Sequence, residues 1–383
     1  MAAPLALRLM LPLGMMLFVV GCRTSPKGHD APCVRRPFAS FPVGANIIDV
    51  PKPSPLQQGE SLGLGSAASL RTLRTLEALG FDALAIPVPL HLDNLVSDDV
   101  RPGRLLTPAG EARLGSFLDA AHARGFATML IPHLVLADGS WRGELAPTDP
   151  ARFFANYRLS LQQLASLGER HCASALSIGV ELRSLTRDPH LDGHFTTLVS
   201  SARGRFRGLL TYSANWDETE TMRHWRLFDV IGVNAFYPLS HHAGATDAEL
   251  LEGARHVQRA LRGLSAEHHR PVWFTELGFK ATPGSFVRPW EWPEEVNAIQ
   301  LPVEEHTQAR AFRAVFRAMT ESEGVDGVFL WMVPSALEEE RGAERYEVPQ
   351  GFGFLGKSAT REVEALIEHR PQRSPPGRYD GER

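Results

Sequence analysis

Two glutamates stand where apolar segments of the sequence end, and a pair of carboxylates can do acid and base chemistry. Glu181 closes the apolar run 175–181, and Glu276 lies near the end of the run 272–278. Burying a carboxylate at the end of an apolar strand costs free energy unless the group has a partner, so a purely structural role is disfavoured. Both residues are therefore candidate catalytic groups.

The elements that position them are predicted by alternation along the chain. Short apolar runs cover 43–50, 81–88, 127–134, 175–181, 208–214, 230–237, 272–278 and 327–333. Segments with helical period lie between and after them, at 67–79, 108–124, 149–167, 193–205, 220–227, 247–268, 304–322 and 360–369. Within 108–124, for example, Leu114, Phe117, Leu118 and Ala121 form one apolar stripe.

This alternation predicts an α/β protein with a parallel sheet, because each crossover helix covers one face of strands that are apolar on both faces. Eight strand-helix units fit a (β/α)8 TIM barrel better than an open doubly wound sheet. The sequence has no Gly-x-Gly-x-x-Gly after the first run and no Walker-type loop, which disfavours a Rossmann-type oxidoreductase. We predict one barrel domain over residues 38–369.

Catalytic groups of such barrels project from the carboxyl ends of the strands. Besides the two glutamates, the residues expected there are His133, Asn215, Trp216, Phe236, Tyr237 and Trp331. Glu181 and Glu276 would close the fourth and seventh strands, on nearly opposite walls of the barrel mouth. Retaining glycosidases place their acid/base and nucleophile in this way, with carboxyl groups about 5–5.5 Å apart. Tyr237 is predicted to donate a hydrogen bond to Glu276 and keep it ionised, although it could instead be a solvent-facing rim residue.

The chain also resembles glycoside hydrolase family 113, a clan A family of retaining (β/α)8 enzymes best known as β-1,4-mannanases. Seven segments carry the resemblance: PH at 132–133, SWRGE at 140–144, FANY at 154–157, IGVEL at 178–182, LTYSANW at 210–216, VIGVNAFYPL at 230–239 and VWFTELGF at 272–279. The resemblance implies acid/base catalysis by Glu181 and nucleophilic attack by Glu276. It further implies sugar contacts for His133, Trp141, Asn215, Tyr237 and Trp331, to which we add Trp216 as a candidate substrate contact.

One position departs from the pattern of the clan. Many clan A enzymes have Asn immediately before the catalytic acid, where it contacts the sugar 2-hydroxyl, but this chain has Val180. Recognition of that hydroxyl must then come from elsewhere, with Asn215 and His133 as candidates. Since the 2-hydroxyl distinguishes mannose from glucose, the departure bears on the identity of the sugar more than on the reaction.

Structural roles remain open for several of these residues. His133 could be a core histidine bonded to a carbonyl, and Trp141 could anchor a loop with Arg142 stacked on its indole. Two long connections carry further aromatic residues that could line the site or simply attach the loops to the barrel. These aromatics are Phe286, Trp290, Trp292, Tyr346, Phe352 and Phe354.

The amino-acid composition of the chain argues against some classes of binding partner. The 383 residues carry 40 Lys and Arg against 44 Asp and Glu, without the basic footprint of a nucleic-acid-binding protein. The three cysteines lack the spacing of a zinc site. We expect a monomer that acts on a polysaccharide, with no cofactor, no metal and no nucleic-acid partner.

The N-terminal residues indicate export and an anchor. Residues 1–21 have the pattern of a secretion signal, and the sequence around Cys22 resembles a lipobox, in which the cysteine is acylated after cleavage; an ordinary cleaved signal is the alternative. Residues 22–37 are predicted to be a flexible tether and 370–383 a disordered tail. We therefore expect a lipid-anchored protein of the cell envelope, whose only contact with the membrane is through lipid.

The remaining two cysteines leave alternatives open. In an oxidising compartment, Cys33 and Cys172 could form a disulfide, although a lone buried cysteine is also common.

Three function classes compete at this point. The leading hypothesis is an endo-acting retaining β-glycosidase on a β-mannan type of polysaccharide, with the same machinery on another β-glycan as its variant. A noncatalytic carbohydrate-binding lipoprotein would keep the barrel and the aromatic rim, but it would not need both glutamates. A structural scaffold lipoprotein would not need polar residues at the strand ends.

The first prediction concerns location. Replacing Cys22 with Ser should give a form that no longer sediments with membranes, because no other part of the sequence reads as a membrane span. Fractionation of cells that express either form, followed by immunoblotting, measures this. Continued sedimentation of the variant with membranes would show that the lipobox hypothesis is wrong.

Overall fold

The computed structural model describes residues 34–50, 62–292, 300–337, 348–373 and 377. Nine strands are present in this part of the chain: β1 Val43–Ile48, β2 Ala83–Leu92, β3 Arg101–Pro102, β4 Ala127–Leu136, β5 Ala175–Val180, β6 Leu209–Asn215, β7 Ile231–Asn234, β8 Val272–Leu277 and β9 Gly327–Pro334. The α-helices described are α1 Ala67–Ala78, α2 Pro108–Ala123, α3 Pro150–Arg170, α4 Arg183–Arg187, α5 Asp192–Arg203, α6 Asp247–His268, α7 Glu305–Glu321 and α8 Ala359–Glu368.

Eight of the strands form a closed parallel barrel. The sheet runs in the order β1-β9-β8-β7-β6-β5-β4-β2, and a parallel pairing of β1 with β2 closes it. The two-residue strand β3 adds to the edge of β2 in antiparallel orientation. The predicted (β/α)8 TIM barrel is therefore confirmed, and the fourth and seventh barrel strands are β5 and β8.

The strands are apolar on both faces because both faces are covered. Along β2, Ala83 and Ala85 belong to one buried cluster, whereas Leu84 and Ile86 belong to a second, larger cluster. The first cluster also holds Trp273 of β8 and residues of β4, β5 and β9, and the second also holds residues of the surrounding helices. Because successive side chains of a strand point to opposite faces, one cluster fills the barrel and the other packs the helices onto it.

Local sequence explains where the helices begin. Thr107 caps α2 and Asp149 caps α3, and a proline occupies the first turn of each helix, where the missing N–H costs nothing. Thr246 and Glu249 form a reciprocal capping box at the start of α6. These caps fix the points at which the long connections after β2, β4 and β7 end and the crossover helices begin.

One predicted helix is wrong. Residues 220–227 contain turns and a single 3₁₀ turn, Trp225–Leu227, rather than an α-helix. The apolar residues that suggested a helical period, Met222 and Trp225, are buried in this irregular segment. The spacing of apolar residues in 220–227 therefore reflects their burial and not a helix.

The predicted ends of the domain also need correction. Arg35, within the predicted tether, donates to the carbonyl of Ala173 at 2.9 Å and pairs with Glu169. Arg370, within the predicted tail, pairs with Asp82, and Arg373 donates to the carbonyl of Ser322 at 2.9 Å. Residues 34–37 and 370–373 thus belong to the packed barrel domain.

The remaining N-terminal features lie largely outside the described residues. The signal sequence, Cys22 and Cys33 lie outside the described residues, and Cys172 is disulfide-bonded. Within the described residues, no helix is long and apolar enough to cross a membrane.

Candidate active site

The ends of β5 and β8 place the two glutamates in one cleft. Glu181 follows the last residue of β5, and its backbone adopts the left-handed conformation, with φ of 52°. Glu276 is the penultimate residue of β8. Their exposed fractions are only 6% and 3%, yet both line a cleft of about 640 Å³ at the barrel mouth. A buried pair of this kind needs nearby groups that compensate the charges.

Three donors converge on Glu181. Arg142 Nη2 and Trp141 Nε1 donate to its Oε2 atom, at 2.9 Å and 3.1 Å. Asn234 Nδ2 donates to the other oxygen, Oε1, at 2.9 Å. Donors on both oxygens fix the orientation of the carboxyl group, and the guanidinium adds a charge-assisted bond.

Glu276 has a different environment. Its Oε1 atom is buried and has no hydrogen-bond partner among the described residues. Burial raises the pKa of Glu276 well above its ordinary value, and the nearby charge of Glu181 raises it further. The charge of Arg142 and the amide of Asn234 act in the opposite direction. The two carboxyl groups are therefore electrostatically coupled, with Arg142 and Asn234 serving both.

His133 lines the same cleft, as predicted from its position, but it lies within β4 rather than at its end. Burial and the positive charge of Arg142 hold the pKa of His133 well below its ordinary value. The imidazole is thus neutral at neutral pH, and one ring nitrogen can accept a hydrogen bond while the other donates.

The wall beside Glu181 is polar and partly aromatic. Trp141 lines the cleft, and the guanidinium of Arg183, rather than that of Arg142, lies over its ring at 4.6 Å from the centroid. Arg183 also pairs with Asp217, another residue of the cleft. The suggested stacking of Arg142 on Trp141 is therefore wrong, because Arg142 is held by Glu181 instead.

A further part of the cleft lining is formed by aromatic side chains. Trp216 and Trp290 stack with ring centroids 5.2 Å apart, and Trp292 packs edge-on against Trp331 and Phe352. All five line the cleft. Such rings offer flat apolar surface for the faces of sugar rings.

The aromatics of the two long connections therefore differ in role. Trp290, Trp292 and Phe352 line the cleft, whereas Phe286 and Phe354 are buried in the main apolar core. Tyr346 lies outside the described residues.

Two other predicted site residues, Asn215 and Tyr237, lie in different places: Asn215 lines the cleft and Tyr237 does not. Asn215 is the last residue of β6 and lines the cleft, with its amide donating to Asp217 at 2.8 Å. Tyr237 lies three residues beyond the end of β7, and its hydroxyl is 3.5 Å from Thr219 Oγ1. No hydrogen bond joins Tyr237 to Glu276 among the described residues, and Tyr237 is not a lining residue of the cleft. The predicted donor role is wrong because β7 ends earlier than its apolar run.

Two residues that contact the carboxylates were not recognised as site residues from the sequence. Arg142 lies in a loop after β4, and Asn234 is the last residue of β7, in register with Glu276. Asn234 could have been found by ending the strand at its first polar residue. Arg142 follows no periodic signal, because a loop brings it to the cleft.

Within the described residues, no group of three or more His, Cys, Asp or Glu side chains is arranged to hold a metal ion. The cleft itself is lined by carboxylates, arginines and aromatic side chains.

A closed (β/α)8 barrel with two buried glutamates at strand ends and an aromatic cleft is the architecture of glycoside hydrolases. The comparison with protein families agrees: the model of Glycoside Hydrolase Family 113 matches residues 61–357. The chain belongs to glycoside hydrolase family 113.

Solved structures show the same fold. The family 113 β-mannanase AaManA from Alicyclobacillus acidocaldarius superposes with a TM-score of 0.68 and 21% identity, over 87% of this chain and 97% of that chain. A second structure, described as a family 113 β-1,4-mannanase, gives a TM-score of 0.70 at 18% identity, over 87% of this chain and all of that chain. A β-glucuronidase from Ruminococcus gnavus is more distant, with a TM-score of 0.57 at 15% identity, over 85% of this chain and 49% of its own. No curated protein sequence matches the chain.

Proposed function

We propose that the protein is a retaining endo-β-glycosidase that hydrolyses a β-1,4-linked polysaccharide of the β-mannan type. The observation that carries this proposal is the pair of buried, coupled glutamates in one aromatic-walled cleft. Membership of family 113 and the likeness to β-1,4-mannanase structures support the choice of substrate. Polysaccharide is the expected partner, and the reaction needs no cofactor.

Double displacement assigns a task to each glutamate. Glu276 attacks the anomeric carbon and forms a glycosyl-enzyme, while Glu181 protonates the departing oxygen. Glu181 then removes a proton from water, which releases the sugar with retained configuration. The neutral imidazole of His133 and the amide of Asn215 are available to the hydroxyls of the sugar that occupies the cleft.

The electrostatic interaction between Glu181 and Glu276 sets a requirement that this mechanism must meet. Glu276 must be ionised to act as the nucleophile, but burial and the charge of Glu181 raise its pKa. Three donors, meanwhile, fix the orientation of the Glu181 carboxyl group. The roles follow from the family resemblance, and they require an ionised Glu276 and a protonated Glu181 when the sugar is bound. Arg142 is the charged group that can support an ionised Glu276.

Two buried polar atoms favour a hydroxyl-rich ligand. Arg142 Nε and Glu276 Oε1 have no hydrogen-bond partner among the described residues, and both side chains line the cleft. Buried polar groups are nearly always satisfied in proteins, so these two atoms are suited to sugar hydroxyls. A carbohydrate would complete the polar side of the cleft while its ring faces contact the tryptophans.

We propose further that acylation of Cys22 anchors the enzyme to a membrane of the cell envelope. This rests on the signal pattern of residues 1–21 and the lipobox-like sequence before Cys22. An enzyme held in this way would act on polysaccharide that reaches the cell surface or enters the envelope.

The substrate is tested by reducing-sugar release from mannan, glucomannan, xylan and mixed-linkage glucan. We expect hydrolysis of mannan and glucomannan by the wild type, and a loss of several orders of magnitude in Glu276→Ala because the glycosyl-enzyme cannot form. Cleavage of xylan or mixed-linkage glucan alone would assign another β-glycan. Binding without hydrolysis of any of the four would favour a noncatalytic carbohydrate-binding protein.

The two roles are separated with azide and a dinitrophenyl glycoside, whose leaving group needs no proton. Glu181→Ala should still be glycosylated and then stall, and azide should restore turnover with a product of retained configuration. Azide should rescue Glu276→Ala from the opposite face and give the inverted product. Proton NMR of the azide products reports the configuration. The opposite pairing of products and variants would exchange the two roles.

The charge of Arg142 should influence the acidic limb of the pH–activity profile. Arg142→Gln removes a charge that lowers the pKa of Glu276, so the nucleophile should lose its ionised form at higher pH. Because an adjacent opposite charge changes a carboxyl pKa by about 1–3, the acidic limb of kcat/KM should rise by about one pH unit. Arg183→Gln is the matched control, since Arg183 lines the same cleft but pairs with Asp217. An equal displacement in both variants would contradict the assignment to Arg142.

A further inference from the structure

A third carboxylate lies behind the cleft, and the mechanism above does not use it. Glu218 follows β6 and is completely buried, with an exposed fraction of 0%. It is not among the residues that line the cleft. A buried carboxylate is expensive unless it is fully hydrogen-bonded, so its contacts indicate what it does.

The contacts of Glu218 lead to the segment that carries Glu181. Its Oε1 atom accepts hydrogen bonds from the Tyr212 hydroxyl at 2.7 Å and from Thr186 Oγ1 at 2.5 Å. The Tyr212 hydroxyl in turn accepts from the backbone amide of Leu182 at 2.6 Å. Leu182 immediately follows Glu181, and Thr186 lies in α4, the short helix that starts there.

The other oxygen holds the end of the neighbouring strand. Glu218 Oε2 accepts from the backbone amide of Asn215 at 3.0 Å. Asn215 ends β6 and lines the cleft, so one carboxylate joins the two adjacent strand ends on this side of the site.

The backbone of Glu181 makes such support necessary. A non-glycine residue with φ of 52° lies in the left-handed region, which persists only where surrounding contacts determine it. The amide of Glu181 is held by the carbonyl of Ser213 at 2.9 Å, and the next amide is held by Tyr212. Freeing the second contact would let the turn relax and displace the carboxyl group of Glu181.

We propose that Glu218 is a positioning residue for Glu181, which acts through Tyr212 and Thr186 and also ties the end of β6 to the same segment. The inference rests on the proposed function, because one of the two measurements that test it is the rate of hydrolysis. Glu218 does not touch the sugar and takes no part in proton transfer with it.

The ionisation of Glu218 is consistent with this role. Burial and the charge of Glu181 raise the pKa of Glu218 to about 7, against the effect of its three donors. All three contacts bring a hydrogen to the carboxylate, and a proton added to Glu218 would need an acceptor of its own in this buried site. An amide at this position cannot keep all three contacts, because they fall on both polar atoms and only one atom of an amide accepts a hydrogen bond.

The test compares Glu218→Gln with Tyr212→Phe, which leaves Glu218 in place but removes its link to Leu182. Tyr157→Phe is the matched control, because it removes another buried tyrosine hydroxyl, one that donates to the Ile178 carbonyl at 2.7 Å. The full chain is used, with kcat and KM measured on the polysaccharide that the wild type cleaves. Hydrogen exchange of peptides covering residues 181–187 is measured by mass spectrometry in parallel.

Both test variants should lose exchange protection at 181–187 and show a fall of about 10- to 100-fold in kcat, since a misplacement of about 1 Å can cost about 100-fold. KM should change by less than about twofold, because the lost interaction acts in the transition state. Combining Glu218→Gln with Tyr212→Phe should lower kcat little more than either change alone, because both changes interrupt the same chain of contacts. Tyr157→Phe should retain protection at 181–187 and most of kcat.

Unchanged protection at 181–187 in Glu218→Gln, or an unchanged kcat, would overturn the positioning role. So would an equal loss in the Tyr157→Phe control, which would indicate a general effect of weakening the core. If the wild type cleaves no polysaccharide, the proposed function fails by itself. The exchange data then still decide the inference, since loss of protection confined to the two test variants supports it and its absence overturns it.

Discussion

The repulsion between buried carboxylates is the constraint on which the organisation of this cleft depends. Glu181 and Glu276 are both nearly inaccessible, and the charge of Glu181 makes ionisation of Glu276 more costly. The low dielectric of the site strengthens this interaction as well as any compensating one. Arg142 and Asn234 make the arrangement tolerable because each acts on both carboxyl groups. The loop of Arg142 and the end of β7 are thus as important to the site as the strands that carry the glutamates.

The barrel solves the problem of bringing these groups together. Parallel strands end at the same rim, so polar side chains that are distant in sequence meet there without any strand being polar along its length. The apolar residues below them fill the barrel interior and exclude water from the base of the cleft. Glu181 adopts its left-handed backbone at the point where β5 ends, and it is at this point that the contacts of Tyr212 accumulate.

These relations explain what could and could not be predicted from the sequence. Glu181 and Glu276 could be found because each interrupts an apolar run, and the barrel followed from the alternation of such runs with helices. Tyr237 was misassigned because its apolar run continues past the end of β7, so its hydroxyl contacts Thr219 instead. Arg142 and Glu218 lie in irregular segments after strands, where side-chain position depends on tertiary contacts that no periodicity encodes.

Val180 stands where many clan A enzymes have asparagine, and its surroundings show what its side chain does. Val180 is 1% exposed and belongs to the apolar cluster inside the barrel, so its side chain contributes nothing polar to the cleft. The amide that contacts Glu181 is supplied by Asn234, which donates to Glu181 Oε1 and is itself held through its carbonyl oxygen by Thr275 at 3.0 Å. Its orientation is therefore fixed from both ends, whereas the amide of Asn215 is bonded to a half-buried aspartate at the surface of the cleft. An amide held by a half-buried partner can exchange that partner for a ligand hydroxyl at lower cost than one held in the core. Of the two asparagines, Asn215 is thus the better suited to contact a ligand in the cleft, and Asn234 to orient Glu181.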